Sequence, residues 1–140
     1  MIKQISVFLE NRSGTLEKVT SLLAENGINI LALFLAESAD YGVLRMIVED
    51  TEKAKEVLVA DDFPVDERDV TAVPVPDRPG GLADLLKKMA GWGIDVSYMY
   101  SVFGKRDAKA HMVLRVSDQE KLEKCLVESG EAFDDLSNLK

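Results

Sequence analysis

The stretch ENRSGTL at residues 10–16 recurs later in the chain as PDRPGGL at residues 76–82, and this repetition indicates a duplicated fold. A shift of 66 residues brings identical residues together: Arg12 on Arg78, Gly14 on Gly80 and Leu16 on Leu82. From residue 48 onward the matching shift is 68. Because similarity at a fixed spacing is typical of a duplicated unit, we interpret the 140 residues as two copies, residues 1–69 and residues 70–140.

The segment before the first stretch has the periodicity of a strand, and the segment after it has the periodicity of a helix. Apolar residues recur at every second position of residues 5–9, which predicts a strand. Leu16, Val19 and Leu23 recur at helical spacing. Two more apolar runs, a second helix and a short strand follow, and the second copy repeats this order. The order β-α-β-β-α-β predicts an α+β fold of the ferredoxin-like type, with two helices on one face of an antiparallel sheet in each copy.

The second half of each copy shows capping and burial patterns. Thr51 in the first copy, and Ser117 with Asp118 in the second, are N-cap residue types at the predicted start of the second helix. The short last strands are predicted at residues 64–67 and 131–134.

Residues 30–35 are apolar at every position, whereas a strand with one solvent-exposed face alternates between apolar and polar residues. We therefore expect the sheet face away from the helices to be partly covered, by the other copy or by a second chain.

Composition and charge exclude several classes of protein. The chain has 17 basic and 25 acidic residues, so its net charge of -8 disfavours nucleic acids and anionic membranes as partners. Residues 1–69 contain 7 basic and 14 acidic residues, and residues 70–140 contain 10 and 11, so the first copy holds most of the excess. No apolar run reaches the ~18 residues of a membrane span, and the start of the chain does not read as a signal peptide. With Cys125 as the single cysteine, the sequence predicts a cytoplasmic protein.

The chain offers few groups for catalysis. His111 is the single histidine, and its place on a predicted strand favours a structural role over ligation. Cys125 matches Val57 of the first copy and is expected in a helix core. Tyr98 and Tyr100 share one strand face, either as core residues or as the lining of a pocket. We predict no catalytic residue, metal site or cofactor, and the chain is expected not to be an enzyme.

The two glycine loops are the candidate binding sites. Each loop ends a strand and opens a helix, where free backbone N–H groups and the helix dipole attract an anion. Asn11 and Asn29 in the first copy, and Asp77 and Asp95 in the second, offer acceptors 18 residues apart. If the strand before each loop and the strand after the helix are neighbours in the sheet, the two residues of each pair can face one small ligand. Donors for a carboxylate and acceptors for an ammonium predict a free α-amino acid. A capped turn without a ligand is the alternative.

The residues of both loops resemble the ACT domain, a regulatory amino-acid-binding module with the same β-α-β-β-α-β order. The resemblance rests on NRSGTL followed by ENGINI, and on DRPGGL followed by GWGIDV. The first copy is similar to the serine-sensing regulatory module of phosphoglycerate dehydrogenase, whose loop reads Asn-Arg-Pro-Gly and whose next strand begins Gly-Val-Asn-Ile. Since the resemblance covers nearly the whole chain twice, the chain resembles a stand-alone tandem ACT protein.

The resemblance implies that effectors contact the loop and the start of the next strand. The implied positions are Asn11, Arg12, Ser13, Gly14, Thr15, Leu16, Asn29 and Ile30 in the first copy, and Asp77, Pro79, Gly80, Gly81, Leu82, Asp95 and Val96 in the second. ACT pairs often form an eight-stranded sheet with sites at the seam. Asn11 then faces Asp95, or Asp77 faces Asn29, or the seam lies between two chains.

This sequence departs from the family pattern in both copies. Asp77 and Asp95 replace both asparagines in the second copy, which repels a carboxylate unless the helix N-terminus holds it. The second copy therefore binds differently, shares a site or does not bind. Ser13 stands where the family usually has proline, which loosens the first loop.

Two functions fit these features. The first is a non-catalytic regulatory module that binds a free amino acid, an allosteric effector, at the interface between ACT domains and passes the effect to its oligomeric state or to a partner. The resemblance implies a homodimer and a regulated enzyme of amino-acid metabolism. The second is a ligand-free structural or protein-interaction module.

Overall fold

A computed structural model of the chain describes residues 1–10, 12–37, 40–103 and 109–134. The described residues form six strands and four helices: β1 (Ile2–Glu10), α1 (Thr15–Glu25), β2 (Ile30–Glu37), β3 (Tyr41–Val48), α2 (Thr51–Ala60), β4 (Val65–Pro76), α3 (Gly81–Gly91), β5 (Val96–Ser101), β6 (Lys109–Val116) and α4 (Gln119–Glu128). The chain divides into two compact units. The first unit is Lys3–Arg68, and the second unit is Asp69–Lys140 together with Met1–Ile2.

The first unit orders its strands β2-β3-β1, all antiparallel. Met46 of β3 pairs with Ile5 on one side and with Leu33 on the other. The side chains on the sheet face that carries Met46 pack against α1 and α2. Together they form one core of buried residues: Ile5, Val7, Leu9, Val19, Leu23, Ile28, Leu44, Met46, Val48, Ala54 and Leu58. Alternation in the strands and helical spacing in α1 place these residues inside, as their periodicity predicts.

The second unit repeats this plan with the order β4-β6-β5. Leu114 of β6 pairs with Thr71 and with Met99. The core against α3 and α4 consists of Val73, Val75, Leu85, Met89, Ile94, Leu114, Val116, Leu122 and Leu126. Two helices on one face of an antiparallel sheet, built twice, confirm the predicted α+β ferredoxin-like fold.

Aspartates cap the second helix of each unit. The side chain of Asp50 accepts from the Lys53 backbone N–H at 3.1 Å, and that of Asp118 accepts from the Lys121 N–H at 3.0 Å. Asp118 is therefore the N-cap that the sequence predicts. The prediction of Thr51 is wrong by one position, because the capping oxygen must stand three residues before the N–H that it accepts from.

The two predicted last strands have different outcomes. Residues 65–67 open β4, a strand of 12 residues that continues to Pro76. In the second unit, residues 131–133 form no strand, and Asp134 makes an isolated bridge with Ala72. The Glu131 N–H donates to the carbonyl of Leu126 at the end of α4, as the Phe63 N–H donates to Leu58 at the end of α2, so the two copies diverge only after this helix end.

The sheet face away from the helices is partly buried in the first unit. Ser6, Ala32 and Ile47 point to this face and are 5%, 0% and 4% exposed. The burial agrees with the unbroken apolar run that the sequence shows in β2. Among the described residues, no helix is long and apolar enough to cross a bilayer.

Candidate functional site

Glycine begins the first helix of each unit. Gly14 is the N-cap of α1, with φ 86° and ψ -8°. This left-handed conformation favours glycine, since a Cβ would clash with the backbone. The Lys18 N–H donates to the Gly14 carbonyl at 3.0 Å, the first bond of the helix. Because glycine has no side chain, Gly14 gives the first-turn N–H groups none of the capping that Asp50 gives α2, and a ligand can take that place.

A cavity of about 480 Å³ opens beside this loop. Its volume lies within the ~300–1,000 Å³ of typical small-molecule sites. Its walls combine two cations, three carboxylates and an apolar side in one place. The lining residues are Phe8, Glu10, Arg12, Ser13, Gly14, Thr15, Lys18, Asp61, Asp62, Phe63 and Pro64.

The charges in this cavity are paired loosely. Arg12 Nε lies 2.8 Å from Glu10 Oε2, but both side chains are about three-quarters exposed, so solvent weakens the pair. Lys18 Nζ lies 3.4 Å from Asp61 Oδ2 and 5.8 Å from the centre of the Phe63 ring. Asp61 Oδ2 is buried, and it accepts no hydrogen bond within the described part of the chain. A ligand that carries both an ammonium and a carboxylate can satisfy these groups better than they satisfy one another.

The corresponding loop of the second unit has the same backbone and a smaller cavity. Gly80 is the N-cap of α3, again with φ 86° and ψ -8°. The cavity beside it measures about 140 Å³. Arg78 donates from Nη1 to the Pro79 carbonyl at 3.2 Å and from Nη2 to Asp84 Oδ2 at 3.2 Å. The arginine therefore lies along its own loop.

The family model of the ACT domain pair matches residues 1–140. The chain belongs to this family. A search of curated protein sequences found no match.

Solved structures share the fold of this ACT domain pair. The crystal structure of protein BT0572 from Bacteroides thetaiotaomicron is 40% identical, with a TM-score of 0.90 over 96% of this chain and 94% of that one. The ligand-free regulatory subunit of aspartate kinase from Thermus thermophilus is 18% identical, with a TM-score of 0.65 over 92% and 93% of the chains. A structure of aspartokinase alpha and beta subunits is 15% identical, with a TM-score of 0.62 over 91% of each chain. The last two show the fold alone.

Within one copy of the ACT pair, the loop and the next strand start do not meet. The loop lies before α1 and Asn29 lies after it, so a helix of 11 residues, about 16 Å long, separates them. Strand β3 also stands between β1 and β2. The sequence predicts that Asn11 and Asn29 face one ligand if the strands beside them are neighbours. In the first copy these strands are not neighbours, because the ferredoxin-like order places β3 between β1 and β2. Asn11 itself lies outside the described residues.

The strand-start residues lie away from the two loop cavities. Asn29 donates from Nδ2 to Glu49 Oε1 at 3.4 Å. Asp95 accepts at its carbonyl from the Ser117 N–H at 2.9 Å. Ile30 begins β2 and Val96 begins β5. A site completed by a residue of the other copy stays a prediction.

The other predicted residues divide between the cavities. Arg12, Ser13, Gly14 and Thr15 line the 480 Å³ cavity, and their contact with a ligand stays a prediction. Leu16 lines a second recess of about 150 Å³ together with Leu9 and Leu35, and Arg12 and Thr15 line this recess as well. In the second unit, Asp77, Pro79, Gly80 and Leu82 are exposed, and Gly81 is buried.

Sequence reasoning missed the second wall of the first cavity. Asp61 and Asp62 belong to an acidic run whose pattern alone is typical of a solvated edge, but both line the cavity, followed by Phe63 and Pro64. One local signal marks this turn: Asp62 has φ 64°, at the position where the second copy has Gly130 with φ 77°. Lys18 is likewise a site residue that helical periodicity could not distinguish from any exposed lysine.

His111 and the tyrosines have structural contacts. His111 is 8% exposed, and its Nδ1 lies 3.0 Å from Asp134 Oδ2, a partner that the sequence could not place. The rings of Tyr98 and Tyr100 stack with centroids 6.5 Å apart, which confirms their common face. Neither tyrosine lines a loop cavity. Within residues 1–10, 12–37, 40–103 and 109–134, no group of three or more acidic, histidine or cysteine side chains could hold a metal ion.

Proposed function

We propose that this ACT pair is a regulatory module that binds a free α-amino acid in the cavity of the first unit. The observation that carries the proposal is the placement of both charge signs around the glycine-capped start of α1. The positive helix end and Lys18 attract a carboxylate. Asp61 and Asp62, at the end of α2, attract an ammonium. An α-amino acid carries these two groups on neighbouring carbons.

The apolar wall supports the same class of ligand. Phe8, Phe63 and Pro64 line the cavity beside the charged groups. They provide a surface against which the side chain of an amino acid can lose contact with water, a gain of ~25 cal/mol per Å² buried. A volume of about 480 Å³ leaves room for that side chain.

Family membership supports a regulatory role for such a site. The fold is shared with regulatory subunits of aspartate kinase, and we propose that this chain likewise acts on an enzyme of amino-acid metabolism. Binding would shift oligomeric geometry or contact with that enzyme, by no more than the difference in affinity between the two states. We also propose that the chain is non-catalytic, cytoplasmic and a homodimer. The similarity of the first copy to the regulatory module of phosphoglycerate dehydrogenase is part of the same proposal.

A thermal-shift screen of the twenty amino acids tests the proposal. A ligand at 100 times its Kd stabilises the folded chain by ~2.7 kcal/mol, which raises Tm by several degrees. Lys18→Gln should reduce the shift, since it removes a charge-assisted contact, and Asn11→Ala should abolish it. Lys87→Gln, which removes an exposed lysine of α3, is the matched control and should leave the shift unchanged.

Two results would contradict the proposal. If no amino acid at millimolar concentration raises Tm, the ligand-free structural or interaction module is the better description. If a shift occurs but Lys18→Gln and Lys87→Gln reduce it equally, the ligand binds elsewhere on the chain.

A further inference from the structure

We propose that only the first of the two duplicated loops binds an amino acid, so that each chain takes up one ligand. The inference rests on the proposed function and concerns which copy performs it. The two loops share φ and ψ at their glycine caps. Differences in binding must therefore come from the side chains and packing around them.

Arg78 covers the start of the second loop's helix. An ideal Cβ built on Gly80 would meet Arg78 Nη1 at 3.7 Å, whereas one built on Gly14 would meet no described atom within 4 Å. Arg12, the counterpart of Arg78, turns to Glu10 instead. Among the described residues, none covers the N-terminus of α1, whereas a ligand that approaches α3 must first displace a guanidinium held by two hydrogen bonds.

Close packing removes the space beside the second loop. An ideal Cβ on Gly81 would lie 2.1 Å from the Pro76 carbonyl oxygen, so α3 begins in direct contact with the end of β4. The corresponding residue of the first copy is Thr15, whose side chain lines the larger cavity. This contact explains why position 81 is glycine. The two cavities differ accordingly, at about 480 and about 140 Å³.

The charged side chains of the second loop are paired with one another, with Arg78 and Asp84 57% and 56% exposed. Asp84 stands where the first copy has Lys18, and it pairs with Arg78 while lying in the first turn of α3. Its negative charge lies close to the positive helix end, where it disfavours a ligand carboxylate. Lys88 pairs closely with Glu131 across the small cavity. In the first copy, the first-turn Glu17 is instead directed along α1, where Oε1 accepts from the Ser21 hydroxyl at 2.8 Å.

Calorimetry and backbone amide NMR of the full chain test the inference, with each of the twenty L-amino acids as probe at millimolar concentration. We expect one ligand per chain, with amide shifts confined to residues 12–18 and 61–64. Lys18→Gln should weaken binding by about tenfold. Lys88→Gln, the matched lysine of the second cavity, should leave Kd within about twofold.

The outcomes separate the inference from the proposed function. Two ligands per chain, amide shifts within residues 78–88, or loss of binding in Lys88→Gln but not in Lys18→Gln would overturn the single-site inference while leaving amino-acid binding intact. Absence of binding by every amino acid would overturn the proposed function and the inference with it.

Discussion

Replacement of Gly81 by alanine tests the contact that closes the second loop. The new Cβ would lie 2.1 Å from the Pro76 oxygen and 3.4 Å from Val75 Cγ1, whereas real Cβ atoms essentially never approach within 3.0 Å. The start of α3 or the end of β4 must therefore move by about 0.9 Å. Because the obstacle is a backbone carbonyl, rotation of a side chain cannot relieve the overlap.

The expected cost follows from two opposing effects. Overpacking of this kind costs ~1–3 kcal/mol, and a rigid backbone neighbour places Gly81→Ala near the upper end. Alanine recovers ~0.5–1 kcal/mol through its helical preference. The net loss is ~2 kcal/mol in the free energy of unfolding, which lowers Tm by about 7 °C if the chain unfolds in one cooperative transition.

Gly91→Ala, at the other end of the same helix, is the matched control. A Cβ on Gly91 meets no described atom within 4 Å, so only the helical preference acts. This variant should raise Tm by about 2 °C. Both variants are measured by circular dichroism during heating and by urea unfolding. A Gly81→Ala variant as stable as Gly91→Ala would refute the packing explanation and, with it, the account of why the second cavity is small.

Two further substitutions probe the second unit. Asp118→Ala should lower the free energy of unfolding by ~1 kcal/mol because α4 loses its N-cap. Asp118→Asn keeps a hydrogen-bond acceptor and is the control. Equal losses for the two variants in urea unfolding would contradict the capping role. His111→Leu removes the partner 3.0 Å from the Asp134 carboxylate, and a double-mutant cycle with Asp134→Ala should give a coupling of ~0.5–2 kcal/mol. A coupling of zero would mean that the close pair contributes nothing to stability.

The fold was largely predictable because its signals are local and occur twice. Period-two apolar residues in β1 and helical spacing in α1 both describe short segments, and the glycine loops mark the same point in each copy. The predictions failed where a segment's partners decide its structure. Thr51 and Asp50 are both N-cap residue types, and only the hydrogen bond to Lys53 distinguishes them. Residues 131–133 follow the same helix-end bond as residues 63–65, yet only the first copy continues into a paired strand.

The candidate site was predictable only on one of its walls. The residues from Arg12 to Thr15 are contiguous, and glycine at a strand-to-helix turn is a signal that can be read locally. The opposite wall comes from the turn after α2, nearly 50 residues later in the chain. No spacing rule connects Lys18 with Asp61, since the two helices meet only when both pack on the same sheet face.

The duplication, the α+β order and the position of the glycine loops could be read from the sequence, because each depends on periodicity or on backbone preferences of neighbouring residues. The difference between the two loops became visible only in the folded chain. Their backbones are alike at the cap, but Arg78, Gly81 and Asp84 fill one site, while Thr15 and Lys18 leave the other open. Cavity volume and ion pairing depend on residues brought together by packing, and for this reason the duplicated stretches ENRSGTL and PDRPGGL do not show by themselves which copy can bind.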